Sequence, residues 1–319
     1  MKKSGEKIII GVHGLGNKPS KNVLRIWWEQ AILEGLKKYN YPVKDFNFEL
    51  VYWADILHEI PLDPEEQNKK SPLYVSEKYI PEVLSSFSEP MTHRQKAIEY
   101  LEKYYSKILI NGILSLNSPS LMNLFIHLYL QDLEKYYSLY HVEQNGGKRL
   151  AREVIIERFC EVVRKHRDKK ILVVAHSMGS IIVHDALFKY IPEIKIDTLV
   201  TIGSPLAQKY VIHKILEEQK DNGIDELKTA DNIERSWFNL SDLQDQVALN
   251  HKTAEFYKAN KKGIVVQDML VQNKYEYAGV RNPHKSFGYL RTPEFAEIVN
   301  RFLAKEKFSL WQWIKKKFS

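Results

Sequence analysis

The segment "KKILVVAHSMGS", residues 169–180, limits the fold more than any other part of the chain. Ile171 to Val174 are apolar without alternation, so a strand built from them has no face to give to water. Such a strand lies inside a sheet that is covered on both sides, which is the habit of parallel sheets. Parallel neighbours cannot be joined by a tight hairpin; they need a crossover, usually a helix. The residues that follow supply one, since Ser180 to Tyr190 is apolar enough for a buried helix. The expectation is an α/β fold.

The same alternation recurs at both ends of the chain. Ile8–Val12 reads as a strand, followed by a helix from about Lys21 to Tyr39 that sets Leu24, Trp28, Ile32, Leu36 and Tyr39 along one stripe. "FNFELVYWAD" is rich in strand formers. From Lys148 a helix carries Ala151, Ile155, Phe159, Val162 and Val163 on one face and leads into the strand at Ile171. After the buried helix come the strand "DTLVTIGSP" and a helix capped by Ser204 and opened by Pro205. The strand "SWFNL", a loop to Val247, the strand "GIVVQDMLVQ", the loop "YAGVRNPHKSFGYL" and a helix from Pro293 to about Lys305 complete the order.

Between these halves the period is helical. Ala97, Leu101, Tyr105 and Ile108 fall on one stripe, and Leu121, Phe125, Tyr129, Leu133, Tyr136 and Tyr140 on another. The division expected is a core of residues 1–55 and 146–305, a helical cap or lid inserted at 56–145, and a basic aromatic tail at 306–319.

Charge and composition narrow the function. Lys and Arg number 47 against 40 Asp and Glu, a net +7 scattered among acidic residues, with no zinc-finger spacing and no RNA-recognition motif, so nucleic acid is not an expected partner. The tail is the exception. Its lysines alternate with Phe308, Trp311, Trp313 and Phe318, which suits either an anionic membrane surface or docking on the domain. No run reaches the ~20 apolar residues of a membrane span, and the apolar run behind Lys2 and Lys3 is too short for a signal peptide. One cysteine, Cys160, rules out an internal disulfide and a cysteine-built zinc site, in keeping with a reducing, cytoplasmic setting.

The turn between the Ile171 strand and its helix carries chemistry. Ala175 and Gly179 stand two places either side of Ser177. A sharp strand-to-helix turn strains its middle residue and leaves room only for small side chains at those two places. It also lifts the serine hydroxyl to a helix N-terminus, where the dipole favours negative charge. Ala175-His176-Ser177-Met178-Gly179 resembles the nucleophile elbow of the α/β-hydrolase family, G-x-S-x-G with alanine for the first glycine; the bland alternative is a serine that merely caps a helix. The resemblance takes in Ile8–Tyr52 and Lys148 to about Lys305. It implies the α/β-hydrolase fold, a mostly parallel central sheet with helices on both faces and a helical cap or lid insertion.

The early loop "VHGLGNKPS" is similar to the His-Gly element of that family. This implies an oxyanion hole formed by the backbone N–H groups of Leu15 and Met178, with His13, Gly14 and Gly16 ordering the loop and His176 and Gly179 completing the elbow. Phosphate-binding readings of the same glycines fail. A Walker A loop needs Lys and Ser or Thr directly after its last glycine, but Gly16 is followed by Asn17, Lys18 and Pro19. A dinucleotide fingerprint needs a third glycine where Pro19 stands.

Serine is a poor nucleophile without a base, and the base needs an orienting carboxylate. The family order of Ser, acid, His implies Asp245 as the acid, with Asp242 the alternative, and His284 as the base in the loop before the last helix. His251 precedes the last strand, and His166, His184 and His213 fall on expected helices. The activity implied is a serine hydrolase that cleaves a carboxylic ester through an acyl-enzyme, without metal or organic cofactor. Seven of the 18 tyrosines lie between Tyr100 and Tyr140 among Leu, Ile and Phe, a composition that suits a lipid-like acyl group or simple cover for the sheet. A thioesterase or peptidase with the same triad, and an inactive hydrolase-fold binding or membrane-peripheral protein, are the alternatives. The expected partner is an ester or lipid-like small molecule; oligomeric state is not legible.

Overall fold

The computed structural model describes residues 5–82, 133–142, 147–220, 226–248 and 250–304. The stripes expected from Ala97 to Ile108 and from Leu121 to Tyr129, and the tail at 306–319, lie outside these residues.

Six strands make one sheet: β1 (Lys7–Val12), β2 (Phe48–Val51), β3 (Lys170–His176), β4 (Ile196–Ile202), β5 (Ile233–Ser241) and β6 (Val266–Leu270). Their spatial order is β2-β1-β3-β4-β5-β6, and every neighbouring pair is parallel. Four helices lie on the connections between them, α1 (Lys21–Lys38), α2 (Ala151–Lys165), α3 (Met178–Lys189) and α4 (Lys209–Lys220), and α5 (Pro293–Leu303) follows β6. From β1 the chain winds outward to β2, then returns and builds β3 to β6 in the opposite direction. The reversal opens a crevice beyond the C-terminal ends of β1 and β3, where sheets of this kind hold their ligands.

The unalternating strands divide their side chains between two cores. Ile8, Ile10 and Val12 of β1, with Ile171, Val173 and Ala175 of β3, pack under α2, α3 and α4. Ile9, Leu172, Val174 and Val200 pack on the other face with Trp28 and Leu36 of α1 and Phe295 and Phe302 of α5. Ile171 to Val174 are fully buried, each worth roughly 1.5–3 kcal/mol of transfer free energy. The backbone is closely approached at Gly11, where a Cβ would stand 2.7 Å from the Phe48 ring and 3.0 Å from that of Trp28. That close approach seats α1 and β2 against β1.

Several elements depart from the expected order. The helix after β4 starts at Lys209, not beside Pro205. Ser204 Oγ accepts from the Leu206 N–H at 3.2 Å and pairs with Ser180 Oγ at 2.8 Å, so its capping capacity goes to a turn. Residues 58–82, expected to be helical, contain no helix; between β2 and them only Ala54–Leu57 is helical. Pro61, Pro64, Pro72 and Pro81 remove donors and bar helical conformations in the residues ahead of them. Leu133 and Tyr136 are buried, as their stripe suggests, but Tyr140 is 61% exposed. It lies in a short strand, Tyr140–Val142, paired antiparallel with Lys148–Leu150. A two-residue hairpin, Glu276–Tyr277 with Val280–Arg281, also interrupts the loop after β6. Its turn residues Ala278 and Gly279 have φ of 52° and 78°, as a type I′ turn requires. Among the described residues no helix is long and apolar enough to cross a membrane.

Candidate active site

Ser177 sits between β3 and α3, above the crevice. Its φ of 54° and ψ of −126° place a non-glycine residue in left-handed territory, at a cost of roughly 1–3 kcal/mol that the surroundings must impose. They do so from both sides. The Ser177 N–H donates to the Ile202 carbonyl of β4 at 3.0 Å, and the Ser177 carbonyl accepts the Ser180 N–H at 2.9 Å. The turn is possible because its flanks are small. A Cβ on Gly179 would lie 2.6 Å from the Val12 carbonyl oxygen and 2.9 Å from that of His13, both backbone.

The turn brings Ser177 to His284. Ser177 Oγ is 3.0 Å from His284 Nε2, and His284 Nδ1 is 2.9 Å from each carboxylate oxygen of Asp245. A carboxylate only accepts, so Nδ1 carries the hydrogen and Nε2 offers its lone pair to the serine hydroxyl. Asp245 is fully buried. Its Oδ1 accepts from the Val247 N–H at 2.9 Å, and its Oδ2 from the Tyr289 hydroxyl at 2.6 Å.

Asp242, the alternative acid, faces elsewhere. Its carboxylate accepts from the backbone N–H of Gln244 at 2.8 Å and of Asn273 at 2.6 Å, and from Arg281 at 3.2 Å. Burial raises its carboxyl above the usual range even with those donors present. The residue anchors the segment that leads to His284 and does not touch the imidazole.

The His284 loop is held at every backbone group. Asn273, itself buried, donates to the carbonyls of Pro283 and Lys285, both at 2.8 Å. The carbonyl between them, that of His284, accepts from His176 Nε2 at 2.7 Å. The His284 N–H donates to Asn282 Oδ1 at 2.9 Å. His176 therefore does more than fill a place in the turn: it ties the serine's strand to the loop of the facing histidine. Burial, with His284 next to it, holds the His176 imidazole well below the ordinary histidine range and so keeps it neutral.

The loop after β1 closes the other side. A Cβ on Gly14 would meet Ser177 Cβ at 2.8 Å and His176 Nδ1 at 2.9 Å, so the loop backbone lies against the serine. His13 is locked in one tautomer. Its Nε2 accepts from the Trp53 N–H at 3.0 Å, so its Nδ1 bears the hydrogen and donates to the Gly14 carbonyl at 2.8 Å. The two rings stack 4.7 Å apart, and burial pushes the imidazole well below its ordinary range. Lys18 folds back onto the carbonyls of Leu15 and Gly16. Gly16 has a φ of 81°. The N–H groups of Leu15 and Met178 have no acceptor among the described residues, and Met178 opens α3, whose positive end faces the crevice.

Three residues of this arrangement, Tyr289, Asn273 and Asn282, carry no sequence signal of their own, and a fourth, Gly203, carries only a faint one. Tyr289 bridges the two aspartates, donating to Asp245 and accepting the Asp242 N–H at 3.0 Å. Gly203 has a φ of 55°, and a Cβ there would stand 2.8 Å from Asp245 Oδ2 and 3.2 Å from His284 Nδ1. "TIGSP", a glycine directly after a strand, is the one trace the sequence offers of that approach. Among the described residues no group of three or more His, Cys, Asp or Glu is placed to hold a metal ion.

No protein-family model matches the chain, and no curated protein sequence matches it. Among solved structures it is similar to a lipase-esterase related protein from Clostridium acetobutylicum ATCC 824. That likeness has 12% identity over 94% of this chain and 96% of the other, at a TM-score of 0.27, and is too slight to carry an argument.

Proposed function

We propose that the chain is a serine hydrolase of the α/β-hydrolase kind that cleaves carboxylic esters through an acyl-enzyme. One observation supports this more than any other: the unbroken hydrogen-bonded line from Ser177 through His284 to Asp245, at 3.0 and 2.9 Å. His284 Nε2 takes the Oγ proton as Ser177 attacks the ester carbonyl. Asp245 fixes the tautomer that makes this possible and stabilises the imidazolium that results. The N–H groups of Leu15 and Met178 receive the tetrahedral oxyanion, where one donor is worth ~10²–10³ in rate. The imidazolium returns its proton to the departing alcohol, and water, activated by the same nitrogen, releases the acid.

The acyl group we propose is lipid-like, on the strength of the tyrosines clustered between Tyr100 and Tyr140. Hydrolysis of p-nitrophenyl esters from acetate to palmitate, beside a thioester and an anilide of the same acyl group, tests both parts. Ester turnover that rises with chain length and vanishes in Ser177→Ala is expected. Turnover of the anilide alone, or none by the wild type, overturns the proposal.

A further inference from the structure

Residues 77–82, the last described before position 83, are strapped to the core by side chains far away in sequence. Tyr275 donates its hydroxyl to the Lys78 carbonyl at 2.7 Å, Tyr79 donates to Glu34 at 2.8 Å, and Arg291 donates to the Ile80 carbonyl at 3.0 Å. At the head of this strap stands Glu77. Its two carboxylate oxygens each accept from Asn282 Nδ2 at 2.9 Å, and Oε2 also accepts from Lys285 Nζ at 3.0 Å. Asn282 spends its other side-chain atom, Oδ1, on the His284 N–H. A carboxylate that fixes an amide by its nitrogen also fixes where that amide's oxygen points, and here the oxygen sets the backbone of His284.

We propose that Glu77 is a positioning residue for His284, acting through Asn282. It belongs to the segment between β2 and α2, which therefore takes part in aligning the base. The role rests on the hydrolase reading for its effect on rate, but its effect on the imidazole can be read without catalysis.

Four variants test it: Glu77→Ala, Glu77→Gln, Glu77→Asp and, as a control on the same strap, Tyr79→Phe. Glu77→Ala frees Asn282, and kcat for an ester is expected to fall about 10- to 100-fold with KM within about twofold, the scale of an ångström's misplacement. Glu77→Gln keeps a carbonyl acceptor for Asn282 and restores most of kcat. Glu77→Asp, which withdraws the carboxylate by one methylene, falls between and serves if the alanine variant does not fold. Tyr79→Phe keeps wild-type kcat. In parallel, the deshielded proton between His284 Nδ1 and Asp245 is followed by one-dimensional ¹H NMR; it is expected to broaden in Glu77→Ala and persist in Glu77→Gln and Tyr79→Phe. An unchanged proton signal and unchanged kcat in Glu77→Ala overturn the proposal, as do equal losses in Glu77→Ala and Tyr79→Phe, which mark a strap that serves the fold alone. A wild type that neither turns over esters nor reacts with a phosphonate, yet loses the proton signal in Glu77→Ala, removes the hydrolase reading and leaves the positioning role standing.

Discussion

Gly203→Ala is the sharpest perturbation available, because one methyl group strikes Asp245, His284 and Tyr289 at once. At a φ of 55° an alanine is strained before it touches anything, by roughly 1–2 kcal/mol. The new Cβ then stands 2.8 Å from Asp245 Oδ2, where ordinary contact begins at 3.4 Å, and 3.2 Å from both His284 Nδ1 and Tyr289 Cε2. About 0.6 Å must be found, and Asp245 cannot yield it freely, since its oxygens are held by Val247, Tyr289 and His284. Relieving the contact moves Asp245 and His284 together, which takes the imidazole from its present place 3.0 Å from Ser177 Oγ. A misplacement of 1 Å costs up to ~10² in rate, so roughly a tenfold loss in kcat/KM is expected, with a loss of roughly 2–5 kcal/mol in stability once crowding is added to strain. The assay is the second-order rate of fluorophosphonate labelling, measured where circular dichroism shows the variant folded, beside urea denaturation. A folded Gly203→Ala that labels within twofold of wild type refutes the reasoning, because the displaced pair would then play no part in activating the serine.

Three further expectations follow from the same contacts. Tyr289→Phe removes a donor from a buried carboxylate and the acceptor of the Asp242 N–H; urea stability should fall by about 2–4 kcal/mol, and an unchanged midpoint would show the hydroxyl to be dispensable. Burial keeps His13 and His176 neutral in the native state, whereas the unfolded chain protonates them below about pH 6.5. The unfolded state thus binds more protons there, and stability is flat above that pH and falls below it, by up to about 1.4 kcal/mol per pH unit for each histidine; urea midpoints at pH 7.5, 6 and 5 follow this, and a midpoint that rises on acidification contradicts it. Arg152→Ala strips Asp185, whose side chain is 4% exposed, of a partner at 2.7 Å; a loss of about 3–5 kcal/mol is expected, with kcat/KM of the folded fraction within twofold of wild type.

Legibility from sequence tracked how local each constraint is. Ile171 to Val174 declare a doubly covered strand because burial on two faces leaves no polar alternation, and the sheet around them is wholly parallel. Ala175 and Gly179 betray the turn because its steric demand falls on the nearest neighbours; the backbone oxygens of Val12 and His13 fill the space a side chain would need. His284 and Asp245 follow from chain order alone; His284 lies 3.0 Å from Ser177 and bonds Asp245 on its other nitrogen, while Asp242 turns to Arg281. Gly203, Asn273, Asn282 and Tyr289 were not legible, since their partners lie across loops that no periodicity reports. Residues 58–82 are a different case: the helical stripes that suggest the insertion begin only at Ala97, and four prolines stand against a helix in the stretch before them.

The most direct measurement is the site of phosphonylation. Incubation of the intact protein with a fluorophosphonate, followed by intact mass and peptide mapping, should yield one adduct, on Ser177, formed much faster in the wild type than in His284→Ala. A folded wild type that stays unmodified, or that carries its adduct on another residue, contradicts the assignment of Ser177 as the activated nucleophile.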